Sequence, residues 1–323
     1  MTPNHVAIIG AGFSGLVLAL SLQKQSVSCT IYEAHSASLD IGAIMLSPNV
    51  LRILDAIGIY QQIRPRSFQF QILHFCTDPP VDTFEFGNRD RYGYDALRIY
   101  RYHLIDVLVA TVKEKGISIE YGKKLTRVVS WSETEVSWEF DDGTTDRAAY
   151  LVGADGSEVL IGKQKRAAEL DREGWNQLMN DKQRCVDFLR QGPEDFPALV
   201  QGAVFHIPLD KINLWPFYMP MLFPPSAGQG VNQAFEDVYT YALVSSQSQS
   251  QDLKSARKVW QHGRQERVDR ILALNSQIDA RRMPKSHDSG PPELDQEPFD
   301  VEWLYGADFE DMVRNWLSRV VKG

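Results

Sequence analysis

The chain has 323 residues and a formal charge of −8, long enough for one large core or two modest ones. Lysines and arginines cluster no further than pairs such as Lys123-Lys124 and Arg281-Arg282, so nucleic acid and an anionic membrane surface are excluded as expected partners. Cys29, Cys76 and Cys185 stand far apart without CxxC spacing, which argues against a metal site or disulfide framework and fits small buried hydrophobes of a reducing compartment. The N-terminus runs into a strand with no basic segment or cleavage site, and the nearby apolar run Leu16 to Leu22 is too short to span a bilayer. A cytoplasmic protein is expected.

Residues 5 to 33, HVAIIGAGFSGLVLALSLQKQSVSCTIYE, predict a strand over Val6 to Ile9, a helix to about Gln25 and a second strand over Cys29 to Tyr32 that ends at Glu33. Gly10 permits a tight turn, Gly12 lets a pyrophosphate approach the backbone at the helix N-terminus, and Gly15 allows close packing of helix on strand. Glu33 is placed to accept hydrogen bonds from an adenosine ribose. An acid there repels a 2′-phosphate, which disfavours NADP and leaves FAD or NAD.

Ser47-Pro48 opens a helix that exits at Gly58. Two alternating runs follow, FQFQILHF and VDTFEF, then LRIYRYHLIDVLVATVKEKG, in which Leu104, Leu108 and Val112 mark a helical apolar face ending at Gly116. Arg101, at the start of that helix, opposes the helix dipole and suggests an anionic partner, although a solvated surface arginine reads the same way. ISIEY, KLTRVVSW, EVSWEF with an Asp142-Gly143 turn, and AAYLVGADG predict a β-meander that delivers a buried strand, Tyr150 to Gly153, to Asp155.

Beyond Asp155, GWNQLMNDKQRCVDFLRQG predicts a helix and AVFHIPLDKINLWPFY a strand or two. Phe205, Trp215, Phe217 and Tyr218 read as core before pocket lining, and a lone His206 receives no role. The segment PPSAGQGVNQAFEDVYT is a small-residue turn opening a helix with acidic residues in its early turns, an arrangement suited to an anion or a polarised group. SSQSQSQ, 245 to 251, reads as a polar link. The charged helix beginning DLKSARKVWQHGRQERVDR reads as a solvated face. A loop covers 284 to 297. ADFEDMVRNWLSRVV is amphipathic and docks on the body or on a partner chain, leaving open a homodimer.

In this order the motifs resemble the class A FAD-dependent monooxygenases, the salicylate hydroxylase-like and para-hydroxybenzoate hydroxylase-like enzymes. The matching residues are IGAGFSGL with Glu33, IGAIMLSPNVLRILDAIGI, YRYHL with Arg101, LVGADG with Asp155, and PPSAGQGVNQAFEDVYTYAL. The resemblance implies an α/β fold: a Rossmann-like FAD-binding domain, with βαβ unit and meander, a shortened mixed-sheet substrate domain and C-terminal helices. The expected divisions are 1–157 (with 68–96 lending strands to the substrate side), 158–222 and 223–323. It assigns FAD contacts to Gly10, Gly12, Gly15, Glu33, Gly42, Ala43, Arg101, Asp155, Gly228, Gly230, Val231 and Asn232, with amides near Gly228 to Asn232 facing the pyrimidine end of the flavin. The implied reaction consumes O2 and NADPH or NADH to hydroxylate a small aromatic or polyketide-like molecule, and it requires no nucleophilic side chain, so no catalytic residue is named.

The chain departs from the family pattern at two joints. No Gly-Asp turn precedes Pro224, and the Ser-then-Arg continuation expected after Asp155-Gly156 is replaced by SEVLIGKQKRAAELDREGWNQ. Two internal deletions relative to the family account for both. They keep open an FAD-binding relative with impaired or no catalysis, beside an NAD-binding dehydrogenase that shares only the first βαβ unit.

Overall fold

The computed structural model describes residues 5–35, 42–75, 82–132, 134–155, 181–190, 209, 228–247, 253–282 and 298–320. Four consecutive buried apolar residues form β1 (Val6–Ile9). The chain then turns into α1 (Phe13–Lys24) and returns as β2 (Cys29–Glu33), parallel to β1 with Val6 opposite Cys29 and Ile9 opposite Tyr32. Helix α1 is buried from Leu16 to Leu22. It carries apolar residues around its circumference because the sheet, α5 (Arg101–Glu114) and α7 (Gly230–Gln247) all pack against it.

The parallel sheet is completed by β8 (Ser118–Tyr121) beside β2 and β12 (Tyr150–Gly153) beside β1, in the order β12-β1-β2-β8. This corrects the predicted meander. ISIEY follows the crossover helix α5 and joins β2 in parallel, so only β9 (Leu125–Trp131), β10 (Val136–Phe140) and β11 (Thr145–Ala148) form the antiparallel unit. Asp142-Gly143 makes its second turn, with Gly143 at φ +79°. Strand β12 is half-buried rather than buried, because among the described residues it forms the edge of the parallel sheet.

A second layer holds the antiparallel sheet β3-β7-β4, built from β3 (Ala43–Leu46), β7 (Ala96–Tyr100) and β4 (Phe68–Phe70). The run FQFQILHF is therefore two strands in different sheets, since β5 (Ile72–Phe75) pairs with β6 (Asp82–Glu85). LRIY likewise belongs to β7, and the helix begins at Arg101, with Leu104, Leu108 and Val112 fully buried as the periodicity predicts. Helix α2 (Pro48–Ala56) starts after Ser47, whose hydroxyl caps no helix amide and instead donates to Asn49 Oδ1 at 2.5 Å. Short helices α3 (Tyr60–Ile63) and α4 (Arg89–Tyr92) complete this half.

Of the segment between the two expected FAD-binding portions, α6 (Lys182–Leu189) is described. The strands predicted over 203 to 218, Leu209 apart, the Pro-Pro entry and the loop at 284 to 297 lie outside the described residues. The first residues of the predicted polar link, Ser245 to Gln247, are the last turn of α7. Helix α8 (Leu253–Arg282) is followed by α9 (Glu302–Tyr305) and α10 (Phe309–Val320). Phe309, Val313 and Trp316, at i, i+4 and i+7, are buried in the same core as α1, so α10 docks on the chain's own body. Gly263 of α8 makes this approach feasible, since a Cβ there would lie 2.3 Å from Trp316 Cε2.

Candidate functional site

The three glycines of the first turn separate by what surrounds them. Gly10 sits at φ +108°, and a Cβ on it would fall 2.6 Å from Asp155 Cα and 2.7 Å from the Ala154 carbonyl oxygen. A Cβ on Gly15 would fall 1.9 Å from the Gly10 carbonyl oxygen, whereas one on Gly12 would meet nothing within 4 Å. Gly10 and Gly15 thus allow the turn to close on α1 and on the Asp155 turn, where the Ala154 amide donates to Ile9 O at 2.7 Å. Gly12 instead fronts open space at the N-terminus of α1, whose first turn has no side-chain cap and no acidic residue. Those amides retain their capacity for an anion.

Glu33 closes the other side of the turn. Its Oε2 accepts from the Ala11 amide at 2.7 Å and its Oε1 from the His35 amide at 2.9 Å, while the residue stays part-exposed. The carboxylate therefore fixes the glycine turn as well as standing where a ribose contact was expected.

Arg101 begins α5. Its amide donates to Gly42 O at 3.0 Å, and its guanidinium carbon lies 4.8 Å from the centroid of the Phe13 ring on α1. Ala43 follows Gly42 in β3 and pairs with Tyr100, the residue before Arg101. Gly42, Ala43 and Arg101 thus meet beside the start of α1.

The third part is the start of α7. Gly228 has φ +62°, and a Cβ there would lie 2.8 Å from Phe86 Cε2. Asn232 is fully buried; its Oδ1 accepts from the Ser47 amide at 3.2 Å, and its Nδ2 donates to Gly228 O at 2.8 Å and Met45 O at 3.3 Å. One side chain fastens the Gly228, Gly230, Val231 turn to β3 and to the start of α2. Phe235, an edge-on neighbour of Phe13 at 6.0 Å, joins α7 to the first glycine turn.

Behind this turn lies a buried polar network that the sequence reading missed. The acidic residues fall in the second turn of α7, not the first, and Glu236 is fully buried. Its Oε2 accepts from Arg264 Nη1 at 2.7 Å and Arg267 Nε at 2.5 Å, and its Oε1 accepts from Arg267 Nη2 at 2.8 Å and Asn49 Nδ2 at 2.7 Å. Arg264 also donates to Gln233 and Asp237, and Arg267 to the carbonyls of Trp303 and Leu304. Burial alone would raise the Glu236 carboxyl, but the Arg267 and Arg264 guanidiniums and the Asn49 amide hold it down at about 2. Helix α8 is consequently not a solvated face along this stretch. The signal was the matched spacing of Gln233 with Glu236 and of Arg264 with Arg267, three residues apart on facing helices.

Among the described residues, no group of three His, Cys, Asp or Glu side chains could hold a metal ion, and no helix is long and apolar enough to cross a membrane.

The family described as FAD binding domain matches residues 4–194. The 3-amino-4-hydroxybenzoate 2-monooxygenase of Streptomyces cremeus is 29% identical over 163 residues, 49% of this chain and 41% of that protein. In three dimensions the crystal structure of FqzB superposes with a TM-score of 0.77 at 17% identity, covering 100% of this chain and 96% of that one. CtdE, solved in complex with FAD and a substrate, gives 0.71 at 14% identity over 98% of each chain. The chain belongs to the FAD binding domain family, with the Rossmann-like fold that these structures share. That membership decides for FAD over NAD. The chain spans about half the length of the curated relatives it matches.

Proposed function

We propose that this protein is an FAD-dependent monooxygenase that uses NADPH or NADH and O2 to hydroxylate a small aromatic or polyketide-like molecule. The observation that carries the reading is the open space at Gly12, facing uncapped α1 amides beside Glu33, in a chain of the FAD-binding family. The residues fit the cofactor: among the described residues nothing lies within 4 Å of a Cβ built on Gly12, where a pyrophosphate would sit, and a carboxylate with spare lone pairs stands at the end of β2.

In this reading the turn at Gly10, Gly12 and Gly15, with Glu33, holds the adenosine diphosphate part. Arg101, with Gly42 and Ala43, supplies positive charge near the phosphates, and Asp155 packs against the turn and reaches the polyol. Gly228, Gly230, Val231 and Asn232 present the positive end of α7 to the pyrimidine edge of the flavin, where negative charge develops on reduction. The Asn232 side chain and the Glu236 network keep that end in place. Bound FAD supplies the electron transfer from the nicotinamide and the activation of O2; the chain's own residues bind, orient and exclude water. The FAD-binding parts are 1–157 and 223–323, with 158–222 as the reduced substrate portion.

The missing Gly-Asp ahead of Pro224 favours a second reading, an FAD-binding relative without turnover. An absorbance scan of purified protein followed by titration with FAD tests the shared part, and substrate-stimulated NADPH oxidation with product formation separates the two. Folded protein that takes up no FAD ends both.

A further inference from the structure

Helices α8 and α10 meet at Gly263 and Trp316, and beside that contact lies a cavity of about 220 Å³ lined by Lys258, Val259, His262, Gly263, Trp316 and Arg319. Gly263 lets the α8 backbone come directly against the indole, since a Cβ there would fall 2.3 Å from Trp316 Cε2 and 2.4 Å from Cδ2. The floor of the cavity is apolar. Trp316 is part of the main core and Val259 packs against it.

The polar groups around this floor are donors and bases. Trp316 is 5% exposed, yet among the described residues its Nε1–H reaches no acceptor, and a buried indole N–H ordinarily finds one. Lys258 is exposed and, among the described residues, has neither ion pair nor hydrogen bond. Arg319 and His262 share a single carboxylate: Arg319 Nη1 lies 3.2 Å from Glu266 Oε2 and His262 Nε2 3.4 Å from Glu266 Oε1. No acidic residue lines the cavity.

These features select an anion with an apolar body. A hydrocarbon would leave the indole N–H unpaired, and inorganic phosphate would gain nothing from Val259 and the ring. The cavity is smaller than the roughly 300 Å³ at which sites for drug-sized ligands begin. Because α8 already covers the indole at its ring-fusion atoms, a flexible chain lying along the ring edge fits better than a stacked plane.

We propose that the cavity between α8 and α10 binds a short- to medium-chain aliphatic carboxylate. The head group accepts from Trp316 Nε1–H and pairs with Lys258, and the chain lies along Val259 and the indole edge. None of the lining residues belongs to the FAD-binding turns, so the site requires neither FAD nor turnover.

The protein is titrated with butyrate, hexanoate and octanoate, and with neutral octanol, by calorimetry. In parallel, the indole N–H resonances of its seven tryptophans are followed by ¹⁵N NMR, with Trp316 identified by the signal missing in Trp316→Phe. Affinity should rise by up to about fourfold per added methylene, the equivalent of about 0.8 kcal/mol. Octanoate should bind at least about fivefold more tightly than octanol, the scale of one hydrogen bond, and should shift the Trp316 signal. Lys258→Glu, an exchange at an exposed position, should erase the preference for octanoate and leave octanol binding unchanged. No binding of octanoate, affinity independent of chain length, a Trp316 signal that does not move at saturation, or a preference that survives Lys258→Glu would each overturn the assignment.

Discussion

The amide of Ala11 donates to Oε2 of Glu33 at 2.7 Å, so one carboxylate at the end of β2 holds the glycine turn that begins at the end of β1. The residue proposed to meet a ribose therefore also shapes the turn proposed to cradle the phosphates. Glu33→Ala is expected to weaken FAD binding by about tenfold to a hundredfold, the range of losing a hydrogen bond to a charged group. Flavin fluorescence titration checks it, and unchanged affinity would remove Glu33 from the site.

Two neighbouring glycines should fail in different ways. Gly15→Ala drives a Cβ to 1.9 Å from a backbone oxygen, and the forced shift of α1 should cost about 1–3 kcal/mol or more of stability. Gly12→Ala meets nothing within 4 Å among the described residues, so the melting temperature should hold while FAD uptake falls. Thermal denaturation of both variants with and without FAD distinguishes the two outcomes; a Gly12→Ala protein that binds FAD normally contradicts the cradle.

Glu236 links the stability of the fold to pH. Its carboxyl is lowered from 4.5 to about 2 in the fold. A lowered acid contributes stability in full above its unfolded value, and that contribution is lost as pH falls through the folded one. Urea midpoints of the wild type should therefore drop between about pH 4.5 and pH 2, and the drop should be smaller in Glu236→Gln. That variant should also be less stable at pH 7 by about 3–5 kcal/mol, because it leaves Arg264 and Arg267 buried without their counter-charge.

Gly263→Ala tests the docking of α10. A Cβ at Gly263 meets the Trp316 indole at 2.3 to 2.7 Å across three ring atoms, so helix or ring must move, at a cost of about 1–3 kcal/mol. The double change with Trp316→Leu should recover part of that loss, and a fully additive pair would show that the two residues do not share the contact.

The sequence by itself determined the βαβ unit, the glycine turn with its acid, and the start of α7, because local rules govern each: a short apolar strand, glycines where backbone must pass backbone, and a periodic apolar helix. The apolar triad Leu104, Leu108 and Val112 and the docking face of α10 were legible for the same reason. Only the tertiary structure decided that ISIEY joins the parallel sheet, since alternation looks the same whichever neighbour a strand finds. It also placed Arg264 and Arg267 inside the molecule, where their partner Glu236 is 28 and 31 residues away. Charge spacing along one helix cannot reveal what lies opposite. The cavity between α8 and α10 is the same case: Lys258 and Trp316 come together through helix packing alone.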